Sequence, residues 1–261
     1  MASIKLTEDL LHHFNISDYS PPKKGGQKTV FIVTIENIKY ALKIINSVDA
    51  RFEREVKICA KYSINNGIPK IIRIDNYGTE TIILEEFIEG NDLSEINLQY
   101  KGNEPKICKL LHQIGIILKP IWEDNYVHRD LKPQNIRIRR NWEPVILDFG
   151  IARALNEHSL TDSISQPLSW PFASPEQYAG RKDLISYRTD FFCLGIIGYY
   201  LFSNKFPFGK TKEEIDSKFQ LGNLEVNLSS LKLTNFCNAV FKINPSGRPR
   251  KIEKLLKFLE A

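Results

Sequence analysis

Over 261 residues this sequence is short of several features, and each shortage argues against a class of protein. It has four cysteines, Cys59, Cys108, Cys193 and Cys237, scattered in apolar surroundings with no C-x-x-C pair. That spacing argues against a disulfide-stapled scaffold and against a thiolate metal site, and predicts buried free thiols in a reducing compartment. Long hydrophobic runs are missing. The longest, Cys193 to Phe202, is too short to span a bilayer, and Met1 to Phe14 has no apolar signal core. No membrane partner and a cytoplasmic location are therefore the expectation. Neither sign of charge dominates: 36 Lys and Arg face 31 Asp and Glu, giving a dispersed net charge of +5 with no long basic run. A nucleic-acid-binding module needs a concentrated basic face with aromatic platforms, and the sequence indicates neither. Hydrophobic residues at 42% and charged residues at 26% are those of an ordinary globular chain. The length suffices for one large domain or two lobes sharing a core.

What is present centres on His128 to Gly150. The stretch begins His128-Arg129-Asp130-Leu131-Lys132-Pro133-Gln134-Asn135 and ends Asp148-Phe149-Gly150. Asp130, Asn135 and Asp148 supply hard oxygen ligands of the kind Mg²⁺ takes when it is bound to phosphates. Lys132 adds a positive charge beside Asp130, and Pro133 stiffens the turn. Ile136 and Ile138 alternate with Arg137 and Arg139, which predicts a half-buried strand, and Val145-Ile146-Leu147 predicts a second. Two strands thus carry a candidate base, a cation and two metal ligands to one edge.

These residues match H-R-D-L-x-x-x-N and D-F-G in order and spacing, and the sequence resembles the eukaryotic-type Ser/Thr protein kinases. The run Val145 to Arg153 is similar to compact bacterial members. The resemblance implies a two-lobed α+β kinase fold: an antiparallel sheet with one regulatory helix, about 1–88, a hinge, about 86–91, and a mainly helical lobe, about 92–261. The whole of 1–261 would be one kinase domain using ATP with Mg²⁺, or Mn²⁺ in its place, on a protein Ser or Thr.

The remaining positions follow in register. Thr7 to Phe14 has the spacing of a short capped helix. Val30 to Ile35 and Tyr40 to Ile45 alternate as two strands of a hairpin around Glu36-Asn37. In the resemblance this hairpin roofs the nucleotide: Val30 and Ala41 lie on the base and Lys43 pairs the phosphates. The glycine loop departs from the pattern, with Lys23, Gly25 and Lys28 at the three glycine places and Gly26 extra. Arg51 to Tyr62 reads as a helix with Phe52, Val56 and Cys59 on its apolar face, and the resemblance makes Glu55 the partner of Lys43. Ile71 to Ile74 and Thr81 to Leu84 complete the sheet. Glu86 and Ile88 would hold the adenine edge by backbone groups, and Asp92 the ribose. Aligned on Asn135, Arg137 occupies the adenine floor. Glu85 occupies the gatekeeper place behind the base.

Ile107 to Trp122 has helical spacing, with Pro120 marking a kink or break. Residues 151–168 are polar and resemble an activation loop. Ser159, Thr161, Ser163 and Ser165 are its candidate phosphorylation sites, and Arg129 the group that would pair with the phosphate. Ser169 is the substrate-facing hydroxyl. Ser174-Pro175-Glu176 matches A-P-E, with Arg248 as the partner of Glu176. Asp190 opens an apolar helix, Phe191 to Phe202, and Lys251 to Leu259 closes the chain as a last helix. Two other classes compete on this fold: a pseudokinase or scaffold, suggested by the altered glycine loop, and a small-molecule kinase, which would lack A-P-E. The opposite charges of Glu85 and Arg137 predict an ion pair lining the base pocket. The alternatives are that Arg137 reaches to solvent, or that Glu85 competes with Glu55 for Lys43.

Overall fold

Alternating apolar residues dictate the first sheet. In the computed structural model, which describes residues 6–24, 28–45, 50–149, 153–154 and 170–260, the chain forms two compact units, 1–89 and 90–261. The first opens with helix α1 (Glu8–His13), capped by the Thr7 hydroxyl, which accepts from the Leu10 N–H at 3.3 Å. Six strands follow: β1 (Ile16–Tyr19), β2 (Lys23–Lys24), β3 (Lys28–Ile35), β4 (Ile38–Ile45) and, after helix α2 (Ala50–Lys61), β5 (Ile71–Tyr77) and β6 (Glu80–Glu86). All pair antiparallel in the order β1-β3-β4-β6-β5, with β2 on β3. Glu36 and Asn37 both adopt positive φ, as a two-residue hairpin turn between β3 and β4 requires.

Period-two alternation gives this sheet two chemically different faces. Phe31, Val33, Leu42, Ile44, Ile82 and Leu84 form one face and pack with Leu6, Leu10 and Phe14, so α1 covers it. Val30, Ala41, Lys43, Ile83 and Glu85 alternate onto the other, with Lys43 opposite Val30 and Ile83, and Ala41 opposite Glu85. Of the stripe expected on helix α2, Cys59 is buried and Val56 half-buried. Among its described side chains Glu55 and Ile58 are buried as well, and so is Tyr62 just past its end. A carboxylate therefore sits in line with the apolar residues, because it has a cation to meet.

The second unit begins with β7 (Asn91–Asp92) and the long helix α3 (Glu104–Glu123). Pro120 lies inside α3 and does not break it. The carbonyl that loses its donor belongs to Ile116, a half-exposed residue, so water can serve it. Short strands follow: β8 (Tyr126–Val127), β9 (Ile136–Ile138), β10 (Pro144–Ile146) and β11 (Arg153–Ala154), paired as β10-β9-β7 and β11-β8. Helices α4 (Pro175–Tyr178), α5 (Tyr187–Ser203), α6 (Lys212–Leu221), α7 (Leu231–Val240) and α8 (Ile252–Lys257) complete it. The helix expected from Asp190 begins earlier, because Ser186 and Thr189 form a capping box ahead of it. The middle of α5, Thr189 to Gly198, is buried without a break, and Gly195 permits this. A Cβ there would lie 2.5 Å from Val240 and 2.7 Å from Phe241. None of the described helices is long and apolar enough to cross a membrane.

Cys59, Cys108, Cys193 and Cys237 are all buried and reduced, and burial pushes the thiols of Cys108, Cys193 and Cys237 up. A thiol with little thiolate and no access reacts slowly. Iodoacetamide at pH 8 should leave the native protein unlabelled and alkylate four thiols after denaturation. Mass spectrometry reads the count, and native labelling at any of the four would contradict the packing.

Candidate active site

The loop between β8 and β9 is held from below by a single buried carboxylate. Asp190 Oδ2 accepts from Trp122 Nε1 and from the His128 N–H, both at 2.8 Å, and Oδ1 from the Arg129 N–H at 2.9 Å. Burial pushes the Asp190 carboxyl up, against these donors, which favour its ionised form. His128, fully buried, bridges two segments. Its Nε2 lies 3.1 Å from the Leu147 carbonyl and its Nδ1 3.3 Å from the Asp130 N–H. A tautomer with the proton on Nε2 satisfies both. The His128 ring also packs edge-on against Phe149, 4.9 Å between centroids, which fixes the residue after Asp148.

Arg129 and Asp148 have φ of 70° and 63°, left-handed values that a non-glycine residue holds only when its surroundings impose them. For Arg129 the imposition is visible: its N–H is bound to Asp190 and its carbonyl accepts from Gln177 Nε2 at 2.6 Å. Between the two strained residues lies the polar cluster. Asp130 Oδ2 accepts from Lys132 Nζ at 2.7 Å and from Asn135 Nδ2 at 2.9 Å, and the same Nδ2 reaches the Asp130 carbonyl at 2.9 Å. Among the described residues both side-chain bonds fall on Oδ2, which leaves Oδ1 to accept from a hydroxyl. The Asn135 amide nitrogen is spent on Asp130, so its oxygen is the atom available to a cation. The Leu147 N–H donates to the Asn135 carbonyl at 2.8 Å, tying the segment before Asp148 to Asn135. One amide and one carboxylate suit Mg²⁺, which keeps waters and phosphate oxygens as its other ligands. No group of three His, Cys, Asp or Glu side chains is arranged to hold a metal among the described residues.

Arg137 and Asp92 face each other across β9 and β7, and Arg137 donates to Asp92 at 2.8 Å and to the Gly90 carbonyl at 2.6 Å. Gly90 makes this approach possible. Its φ is +142°, and a Cβ would lie 1.9 Å from the Ile138 carbonyl. Gly90→Ala should lower stability by roughly 1–3 kcal/mol, the scale of one such strained residue. Urea unfolding reads it, and an unchanged midpoint would contradict the close approach.

In the first unit, Lys43 Nζ donates to Glu55 Oε1 at 2.8 Å and also contacts both Glu85 oxygens, at 2.8 and 2.7 Å. The three side chains are 12%, 7% and 4% exposed, so this is a buried carboxylate–ammonium–carboxylate cluster. Burial pulls the Lys43 ammonium down, but Glu55 and Glu85 together raise it further, and the net shift is upward. A raised lysine contributes its stability below its ordinary value of 10.5 and loses it only as pH rises past the higher folded value, so Lys43 stays charged at every ordinary pH. Of the contacts expected for Glu85, the one with Lys43 is present, and within the second unit Arg137 meets Asp92. The Arg137 side chain is 18% exposed. Glu86 closes β6, its N–H bonded to the Lys70 carbonyl, and Ile88 is buried just beyond.

Glu176 and Arg248 meet in a fully buried two-pronged pair, both contacts 2.7 Å, with Thr189 donating to Glu176 at 2.8 Å. Gly25, Gly26, Ser159, Thr161, Ser163, Ser165 and Ser169 lie outside the described residues.

The protein kinase domain sequence model matches residues 24–258. The chain belongs to the protein kinase domain family. Similar relatives include the probable serine/threonine-protein kinase PknB of Lactococcus lactis, 31% identical over 61% of this chain and 25% of that protein. Serine/threonine-protein kinase pkn2 of Myxococcus xanthus is 29% identical over 72% of the chain and 24% of its own length. PrkC of Bacillus subtilis is 30% identical over 70% and 30%. The kinase domain thus spans under a third of the length of these relatives.

Three contributors to the kinase site escape sequence reasoning: His128 as a bridge, Gln177 as the clamp on Arg129, and Trp122 as a donor to Asp190. Their signals are a donor or acceptor inside an apolar run, and only tertiary contact assigns the partner.

Proposed function

We propose that this kinase domain transfers the γ-phosphoryl group of ATP to Ser or Thr hydroxyls of protein substrates. The observation that carries the reading is the Asp130 carboxylate, held by Lys132 and Asn135 on one oxygen and open on the other. Asp130 Oδ1 orients the attacking hydroxyl and takes its proton. Lys132, 2.7 Å from Asp130, supplies positive charge to the transferring group. Asn135 and Asp148 would hold Mg²⁺, or Mn²⁺, which when bound neutralises phosphate charge. Lys43, braced by Glu55, positions the phosphates, with Val30, Ala41, Glu86, Ile88, Asp92 and Arg137 around the nucleoside and Gly25-Gly26 approaching the phosphates by backbone amides. Catalysis of this kind is positioning and charge stabilisation.

The serine/threonine-kinase names of the relatives support the choice of hydroxyl, as does Lys132. Lys43, Asp130, Asn135 and Asp148, all in place, favour an enzyme over a scaffold. The A-P-E segment with its Arg248 partner favours protein over small-molecule substrates. We read 1–261 as one kinase domain acting in the cytoplasm, with no nucleic-acid partner. Phosphate on Ser159, Thr161, Ser163 or Ser165 would pair with Arg129 and raise activity. The test is incubation with radiolabelled ATP, Mg²⁺ and generic protein substrates, followed by phosphoamino acid separation. Phosphoserine or phosphothreonine is expected. Label confined to tyrosine, or none despite bound nucleotide, would overturn the reading.

A further inference from the structure

Glu85 is a buried carboxylate with no place in the reaction just described. Its position follows from the sheet. Ala41 and Lys43 share one face of β4, Ile83 and Glu85 the same face of β6, and Glu85 stands directly opposite Ala41. Lys43 is then its diagonal neighbour, a distance that two long side chains can close. Ala41, the smallest chiral side chain, leaves room for the carboxylate to lean across. Both Glu85 oxygens come within 2.8 Å of the ammonium, while Glu55 holds it at 2.8 Å from helix α2.

We propose that Glu85 is a positioning residue that competes with nucleotide phosphate for Lys43 and so sets nucleotide affinity. The proposal rests on the reading that Lys43 holds the phosphates. A lysine ammonium has three N–H donors. Glu55 and Glu85 occupy two, so a phosphate finds one where a lysine paired with Glu55 alone offers two. Lys43 is 12% exposed on its side chain, and in that setting the donors are worth more than in water. A phosphate must either accept the single remaining donor or displace Glu85. Either way the carboxylate stays beside it, buried and of like charge. Both effects weaken binding of the phosphate portion and leave the nucleoside portion alone. Neutralising Glu85 frees the donor and removes the repulsion.

The full chain carries the test, with MgATP and adenosine titrated calorimetrically onto wild type and Glu85→Gln, and KM and kcat measured alongside. Glu85→Gln keeps the shape and should tighten MgATP about 10-fold, or about 1.4 kcal/mol, with KM falling in proportion. Adenosine, which brings no phosphate, should bind both alike. Glu85→Met, apolar and of similar size, should move MgATP in the same direction. A melting shift in these variants without a change in MgATP affinity would make Glu85 structural and overturn the proposal. Equal tightening of adenosine would do the same, since the effect would then lie in pocket shape. Lys43→Met is made in the Glu85→Gln background, so that one carboxylate fewer is left without its cation. If that double variant binds MgATP as well as Glu85→Gln does, the phosphate role of Lys43 fails. If it binds weakly while Glu85→Gln is no tighter than wild type, only the role given to Glu85 fails.

Discussion

Arg248→Met should destabilise the protein by roughly 3–5 kcal/mol, the cost of leaving one member of a buried ion pair alone. Arg248 is 2% exposed and Glu176 3%. The guanidinium donates twice to Glu176 and further to the carbonyls of Arg188 and Lys242, while its central carbon, Cζ, lies 4.8 Å from the Phe192 ring centre. Methionine fills part of the volume and satisfies none of these acceptors. Glu176 then keeps Thr189 as a side-chain donor, too little for a carboxylate out of water. Because a domain's whole stability is about 5–15 kcal/mol, the variant should lie near the edge of folding. Urea unfolding would place the midpoint far below wild type. A loss under about 1 kcal/mol would mean that the pair is hydrated and the packing around α4 and α5 is wrong.

The second large effect is chemical. Asp148→Asn should lower kcat/KM by roughly 100–1000-fold, the scale for one preorganised charge-stabilising group, with an unchanged melting temperature. Lys43→Met should lower it comparably but also destabilise the first unit, because Glu55 and Glu85 lose the cation between them. The activity losses should not add, since both groups serve one transition state. The double variant should therefore fall little below the worse single. Steady-state kinetics with circular dichroism of each variant decides this. Wild-type turnover by Asp148→Asn would remove the metal role given to that residue.

How much of this was legible in the sequence varies with the kind of contact. The β3–β4 hairpin is plain, because alternation and Glu36-Asn37 are local signals, and both turn residues adopt the positive φ that the turn needs. The meeting of Lys43 with Glu55 follows from family register, and the structure has it at 2.8 Å. The partner of Glu85 is different. Its unusual place is plain in the sequence, but its contact with Lys43 depends on diagonal neighbours in one sheet, which no local pattern shows. Asp92 stands opposite Arg137 and pairs with it. On α2 the periodicity points to Cys59, which is buried, and passes over Glu55, because a carboxylate does not count as apolar in any periodicity. Of the kink or break expected at Pro120, the break is absent, because the carbonyl that Pro120 deprives belongs to a half-exposed turn.

The central claim is that Asp130 orients a Ser or Thr hydroxyl for attack on bound ATP. Its most direct test is a single-turnover measurement of acid-stable phosphoserine and phosphothreonine formation, comparing wild type with Asp130→Asn at equal nucleotide occupancy. Asparagine keeps the size of the side chain and removes the charge that accepts the proton. The expected result is unchanged MgATP affinity with protein phosphorylation slowed by roughly 100-fold or more. Phosphorylation at the wild-type rate by Asp130→Asn would contradict it.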